Sequence, residues 1–132
     1  MKFKVSFWLL FFLSVCGAFE IDVPALLISC AVHEAGHLAA LYALGGCVRE
    51  VRADLKGIEF KMAKRGCFKR RDIVLINAAG PLAGLFFALA AYFLHKKDLS
   101  GLNLIISLFN LLPFDGLDGG DILREIKNTA DT

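Results

Sequence analysis

Apolar residues in this chain come in long blocks separated by short polar stretches, which is the pattern of helices solvated by lipid rather than by water. The first block is residues 5–19, behind Lys2 and Lys4, and reads as an uncleaved membrane helix in preference to a secretory signal peptide. Residues 24–45 contain no Lys or Arg, with Asp22 and Pro24 as the start signal and Gly45-Gly46 as the stop. That run is long enough to cross a hydrocarbon core of about 30 Å. Residues 73–94 carry no formal charge, and residues 99–118 form a last block that Pro113 interrupts. The pattern predicts an all-α polytopic membrane protein, one domain over residues 1–132, with about four transmembrane segments. Gly80 and Gly84 sit at small-xxx-small spacing in the third segment and predict close helix packing there.

The stretch 46–71 differs in kind. Val51, Ala53 and Leu55 alternate with Arg52, Asp54 and Lys56, and after Gly57 the positions Ile58, Phe60 and Met62 alternate with Glu59 and Lys61. Period two on both sides of Lys56-Gly57 predicts a small β-hairpin between the second and third segments, lying on the membrane surface or the helix ends. The same stretch holds nine of the fifteen basic residues, so it is expected on the cytoplasmic side. Counting segments from there places thirteen basic residues inside and two, Lys96 and Lys97, outside. The implied location is a multi-pass protein of a bacterial cytoplasmic membrane.

Composition sharpens this picture. Of 132 residues 57% are hydrophobic and only 21% are charged. A soluble domain averages about 45 to 50% apolar. Mean hydropathy is +0.61, which excludes a disordered chain. A net charge of +2 and few interleaved aromatics argue against nucleic acid as a partner. Cys16, Cys30, Cys47 and Cys67 contain no CxxC spacing, so neither a zinc ribbon nor a disulfide scaffold is indicated.

Candidate chemistry lies inside the second segment, where residues 33–37 read His-Glu-Ala-Gly-His. His33 and His37 are one helical turn apart, so both imidazoles leave one face and can grip a single zinc ion. Glu34 lies off that axis, where its carboxylate can reach water at the metal. A carboxylate at the centre of a membrane helix costs roughly 2.5 to 3.5 kcal/mol on insertion scales, so it marks function. Two histidines leave zinc short of a third protein ligand. The broken last segment, Asn110-Leu-Leu-Pro-Phe-Asp-Gly-Leu-Asp-Gly-Gly, offers Asp115 and Asp118; Cys30, one turn before His33, is a weaker alternative.

HEAGH on one segment, NAAGPLAG on the next and NLLPFDGLDGG on the last resemble, in order, the motifs of the site-2 protease family of intramembrane zinc metalloproteases. The short form is similar to the branch that matures a sporulation sigma-factor precursor. The resemblance implies one Zn²⁺ per chain held by His33, His37 and Asp118, with Glu34 as general base and Asn110 holding substrate or steadying the oxyanion. The family's second proline before Leu-Asp-Gly is replaced here by Gly116, and Gly84 stands where Asn is frequent.

A site with three protein ligands keeps a fourth position for water, whose pKa zinc can lower to about 7. Glu34 then accepts the water proton and returns it to the leaving amine. The implied substrate is a membrane-tethered protein whose helix unwinds before attack, with the hairpin edge and the segment around Pro113 as places to hold it. The helix bearing His37 ends about eight residues later, roughly 12 Å, which brings the site near the cytoplasm. A regulatory membrane partner or self-association is left open by the sequence. The competing reading is a zinc-binding membrane protein without proteolysis, a carrier or a silent partner, for which Glu34 is superfluous. His95 is expected to be an interface residue, and residues 122–132 no more than a helix end and tail.

Overall fold

A computed structural model describes residues 2–6, 22–54, 57–64 and 68–130. It is mostly helical, with four helices and three strands among the described residues. In chain order these are β1 (Lys2–Ser6), α1 (Val23–Ala43), β2 (Gly46–Asp54), β3 (Gly57–Lys64), α2 (Arg70–Phe93), α3 (Lys97–Asn110) and α4 (Asp118–Ala130).

Two helices, α1 with 21 residues and α2 with 24, are long and apolar enough to cross a membrane. At about 1.5 Å per residue they are about 32 Å and about 36 Å long. Their buried faces are narrow stripes: Leu26, Ser29, His33, His37 and Leu41 on α1, and Ile76, Asn77, Gly80, Pro81, Gly84, Ala88 and Ala91 on α2. Around these stripes the helices expose large apolar side chains, among them Leu27, Ile28, Leu82, Phe86, Leu89 and Phe93. An outward face this apolar fits lipid as its solvent.

The helices run in alternating directions. The later half of α1 meets the early half of α2, where Leu41 packs on Ile76, and Gly36 lies so close to Ala79 and Ala83 that no side chain fits between. The α2–α3 connection is a tight Schellman turn. Its Lys96 N–H donates to the Ala91 carbonyl (2.9 Å) and its His95 N–H to that of Tyr92 (3.0 Å). His95 takes the left-handed position of this turn, with φ 59°, a place usually filled by glycine. That conformation is the role the structure gives His95, beyond the surface position expected of it. Helix α3 therefore runs parallel to α1, with Leu102 and Ile106 packed on Leu26.

Three expectations need correction. The first apolar segment does not begin at Val5. Lys2–Ser6 is a strand, antiparallel to β3 with Phe3 opposite Phe60 and Val5 opposite Ile58, and the remainder of that segment lies outside the described residues. The sheet is thus three-stranded, ordered β1-β3-β2, with a bulge between Val48 and Glu50. The last block is not one segment over residues 99–118, because α3 stops at Asn110 after 14 residues. That is about 21 Å, too short to cross alone. Pro113 supplies no N–H and disfavours helix at the residue before it, so residues 111–117 form an irregular turn. Residues 122–132 are not merely a tail either. Asp118 opens a further helix of 13 residues, α4, that packs on α2.

Candidate metal centre

The centre is assembled from three pieces of chain. The α1 stripe delivers His33 and His37 to one face, the turn at 111–117 brings the chain back, and the first residue of α4 is Asp118. Gly119 and Gly120 make that return possible, because a Cβ on either would collide with the backbone carbonyls of Leu111 or Phe114. Leu117 is buried beside Asp118 and anchors the turn.

All three side chains are sequestered, with His33 5%, His37 1% and Asp118 6% exposed. His33 Nε2 lies 3.0 Å from Asp118 Oδ2 and 3.1 Å from His37 Nε2, and His37 Nε2 lies 3.4 Å from the same carboxylate oxygen. The imidazoles meet nearly edge to face, at 80°. A tetrahedral zinc with bonds of about 2.0 to 2.1 Å spaces its ligand atoms about 3.3 Å apart, so the three edges of this triangle fit that ion. Donor chemistry points the same way. His37 Nδ1 donates to the Ile76 carbonyl at 2.7 Å. Since a carbonyl only accepts, the Nε2 of neutral His37 presents a lone pair to the centre.

Gly80 completes this arrangement. A Cβ at that position would overlap His37 Nε2, so the glycine of the NAAGP motif is the wall against which the imidazole lies. Gly84 instead faces Ser107 of α3. The two glycines therefore admit different neighbours and do not form one helix-pairing stripe, a distinction invisible in their spacing.

Glu34 is partly exposed at the rim of the centre, and its charged neighbours are His37, His33 and Asp118. Asp115 is elsewhere: its carboxylate accepts from Arg124 Nη2 at 2.9 Å and is 94% exposed. Burial, reinforced by the neighbouring Asp118, Asp115 and Glu125 and opposed by Arg124, holds the Asp121 carboxyl above the usual carboxylate range. Cys30 packs against the Leu26, Leu102 and Ile106 cluster and is not among the three grouped ligands. Asn110 is not brought into the triangle; its amide Nδ2 donates to the Ile106 carbonyl one turn back, at 2.9 Å.

Sequence reasoning missed a buried polar layer one turn away. Asn103 Nδ2 donates to Ser29 Oγ at 2.9 Å and to the Leu99 carbonyl at 2.8 Å, while Ser29 Oγ donates to the Ala25 carbonyl at 2.7 Å. The signal that could have found it was polar residues at i, i+4 and i+8 on α1 (Ser29, His33, His37), matched by Asn103 and Ser107 at i and i+4 on α3.

No protein-family model matches the chain, and no curated protein does. Among solved structures the fold is similar to the site-2 protease from Methanocaldococcus jannaschii, with a TM-score of 0.66 and 25% sequence identity over 92% of this chain. The chain spans 64% of the length of that protein.

Proposed function

We propose that this chain is an intramembrane zinc metalloprotease of the site-2 type, hydrolysing peptide bonds of membrane-tethered proteins. The observation that carries the reading is the buried His33, His37 and Asp118 triangle with Glu34 at its rim, set on helices whose outward faces are apolar. The likeness in fold to a site-2 protease supports it. His33 Nε2, His37 Nε2 and Asp118 Oδ2 would hold one zinc ion. When bound, zinc supplies Lewis acidity, acidifying water and polarising the scissile carbonyl.

The protein's own residues do the rest. Glu34 takes the proton of the attacking water and delivers it to the departing amine, which restores its charge for the next turnover. His37 is fixed in one tautomer by Ile76, and apolar packing around the centre excludes competing water from the lipid side. Helix α1 ends at Ala43, about six residues or 9 Å beyond His37. The basic stretch 46–71 follows it, so we place the centre toward the cytoplasmic side of a bacterial membrane. The turn at 111–117 and the outer strands of the sheet are where an unwound substrate would be held, and Asn110 borders that turn.

The test compares wild type with Glu34→Gln on a panel of single-span reporter proteins reconstituted in the same vesicles, with zinc measured on both. The amide keeps the size of the acid and cannot accept the proton, so zinc should stay while cleavage falls about 10² to 10⁴-fold. Equal cleavage by both proteins would remove Glu34 as the base. Zinc bound by both with no cleavage by either across the panel would favour a carrier or silent partner.

A further inference from the structure

We propose that Ser107 is a positioning residue for His33, its hydroxyl oxygen accepting a hydrogen bond from the His33 Nδ1–H either directly or through one buried water. The inference rests on the zinc reading above. Among the described residues, two buried side-chain polar atoms lack a hydrogen-bond partner, and they are His33 Nδ1 and Ser107 Oγ. Ser107 is 0% exposed and His33 5%, so bulk solvent supplies neither. Two such orphans in one small centre call for a physical reason, because buried polar groups are ordinarily paired.

Helix register places them at the same level. Parallel helices α1 and α3 are tied together by Asn103 Nδ2 donating to Ser29 Oγ at 2.9 Å. His33 lies four residues beyond Ser29, and Ser107 four beyond Asn103, so each sits one turn further along in the same direction. Helix α2 supplies an independent marker. A Cβ on Gly84 would collide with Ser107 Oγ, and one on Gly80, a turn earlier, with His37 Nε2. The serine hydroxyl therefore lies one α2 turn from the histidine pair.

Chemistry fixes the direction of the bond. A neutral imidazole has one N–H, and presenting Nε2 to a cation leaves that proton on Nδ1. His37 meets the requirement with the Ile76 carbonyl. His33 has no carbonyl partner, and Ser107 offers an acceptor that no other donor uses. Metal-bound histidines almost always give their second N–H to such an acceptor, and losing it typically weakens binding about 10- to 100-fold. A bridging water would find a polar partner at each end.

The experiment measures zinc affinity of the full chain in detergent by competition with a chromophoric chelator, together with the absorption spectrum of the cobalt-substituted protein and the melting temperature of the metal-free form. Ser107→Ala should weaken zinc about 10- to 100-fold and change the cobalt spectrum. Ser107→Thr retains the hydroxyl and, although its extra methyl crowds this buried site, should bind zinc more tightly than Ser107→Ala. Ser107→Cys fills the site with a weaker acceptor and should fall between Ser107→Ala and wild type. Ser100→Ala is the control: it removes a hydrogen bond from the same helix to the Ala88 carbonyl and should leave zinc affinity unchanged. Unchanged affinity in Ser107→Ala, with metal-free stability equal or higher, would make Ser107 a structural orphan and overturn the inference. Equal losses in the alanine and threonine variants would do the same. A wild type that binds no zinc would instead overturn the proposed function, and this inference with it.

Discussion

Replacing Gly80 by alanine should damage the centre through a single methyl group. The new Cβ would stand inside 3.0 Å of His37 Nε2, a separation real Cβ atoms essentially never show, whereas ordinary contact begins at 3.4 Å. The ring must retreat by more than the difference, about 0.4 Å, which is twice the tolerance of roughly 0.2 Å in a metal–ligand distance. It cannot retreat freely, since Nδ1 is bonded to the Ile76 carbonyl at 2.7 Å. Either that bond lengthens or Nε2 leaves the triangle. We expect a loss of zinc affinity of at least tenfold, equivalent to about 1.4 kcal/mol. Protein stability should fall by about 0 to 2 kcal/mol, because overpacking of about 1 to 3 kcal/mol is partly offset by the gain of about 1 kcal/mol for alanine over glycine in a helix.

Gly101→Ala is the matched comparison. A Cβ there meets nothing within 4 Å, so it takes the same propensity gain with no steric cost. Zinc competition and thermal unfolding, run on both variants in the same detergent, separate the two contributions. If Gly80→Ala binds zinc as tightly as Gly101→Ala, the Gly80 wall does not position His37 and the reasoning fails.

Further outcomes follow from the geometry of the triangle and from the distribution of charge. His33→Ala, His37→Ala and Asp118→Ala should each lose zinc in metal analysis of the purified protein, while Asp115→Ala, which removes only a surface pair with Arg124, should retain it. Full occupancy in Asp118→Ala would reassign the third ligand. In cells, on a background without native cysteines, an impermeant thiol reagent applied from outside should label a cysteine at position 97 and miss one at 64, as nine basic residues in 46–71 require; the reverse pattern would turn the topology over.

Much of the fold was legible because long apolar runs leave simple traces. The block over 24–45 became α1 at Val23–Ala43, and that over 73–94 became α2 at Arg70–Phe93. Helix α2 starts earlier than its apolar run because Asp72 accepts from the Lys69 N–H at 3.2 Å and caps it among basic residues. The strand at Lys2–Ser6 was not legible for a different reason. Its alternation of Lys2, Phe3, Lys4 and Val5 is as regular as that of β3, but five residues running directly into an apolar block read as a charged flank. Helix α4 was hidden by its glycines, which look like a stop signal and act as the clearance that lets its first turn approach Leu111 and Phe114.

The centre divides along the same line. His33, Glu34 and His37 lie within one helix, where periodicity of about 3.6 residues is enough to put the two imidazoles on one face. Choosing between Asp115 and Asp118 depends instead on how residues 111–117 turn, and no local period encodes that path. What couples the two halves is α2, which contributes no ligand. Its Ile76 carbonyl sets the His37 tautomer, Gly80 sets the position of that ring, and Gly84 admits Ser107 one turn away. Each of these groups is backbone or a missing side chain, so the sequence displays the two glycines without displaying what they face. A helix that adds no side chain to the candidate triangle thus fixes where one of its nitrogen atoms stands, and the packing between α1 and α2 becomes part of the centre's geometry. Substitutions along the buried stripe of α2 should accordingly change zinc affinity more than those on its apolar outer face, where Phe86 and Phe93 meet neither ligand nor neighbour in the core.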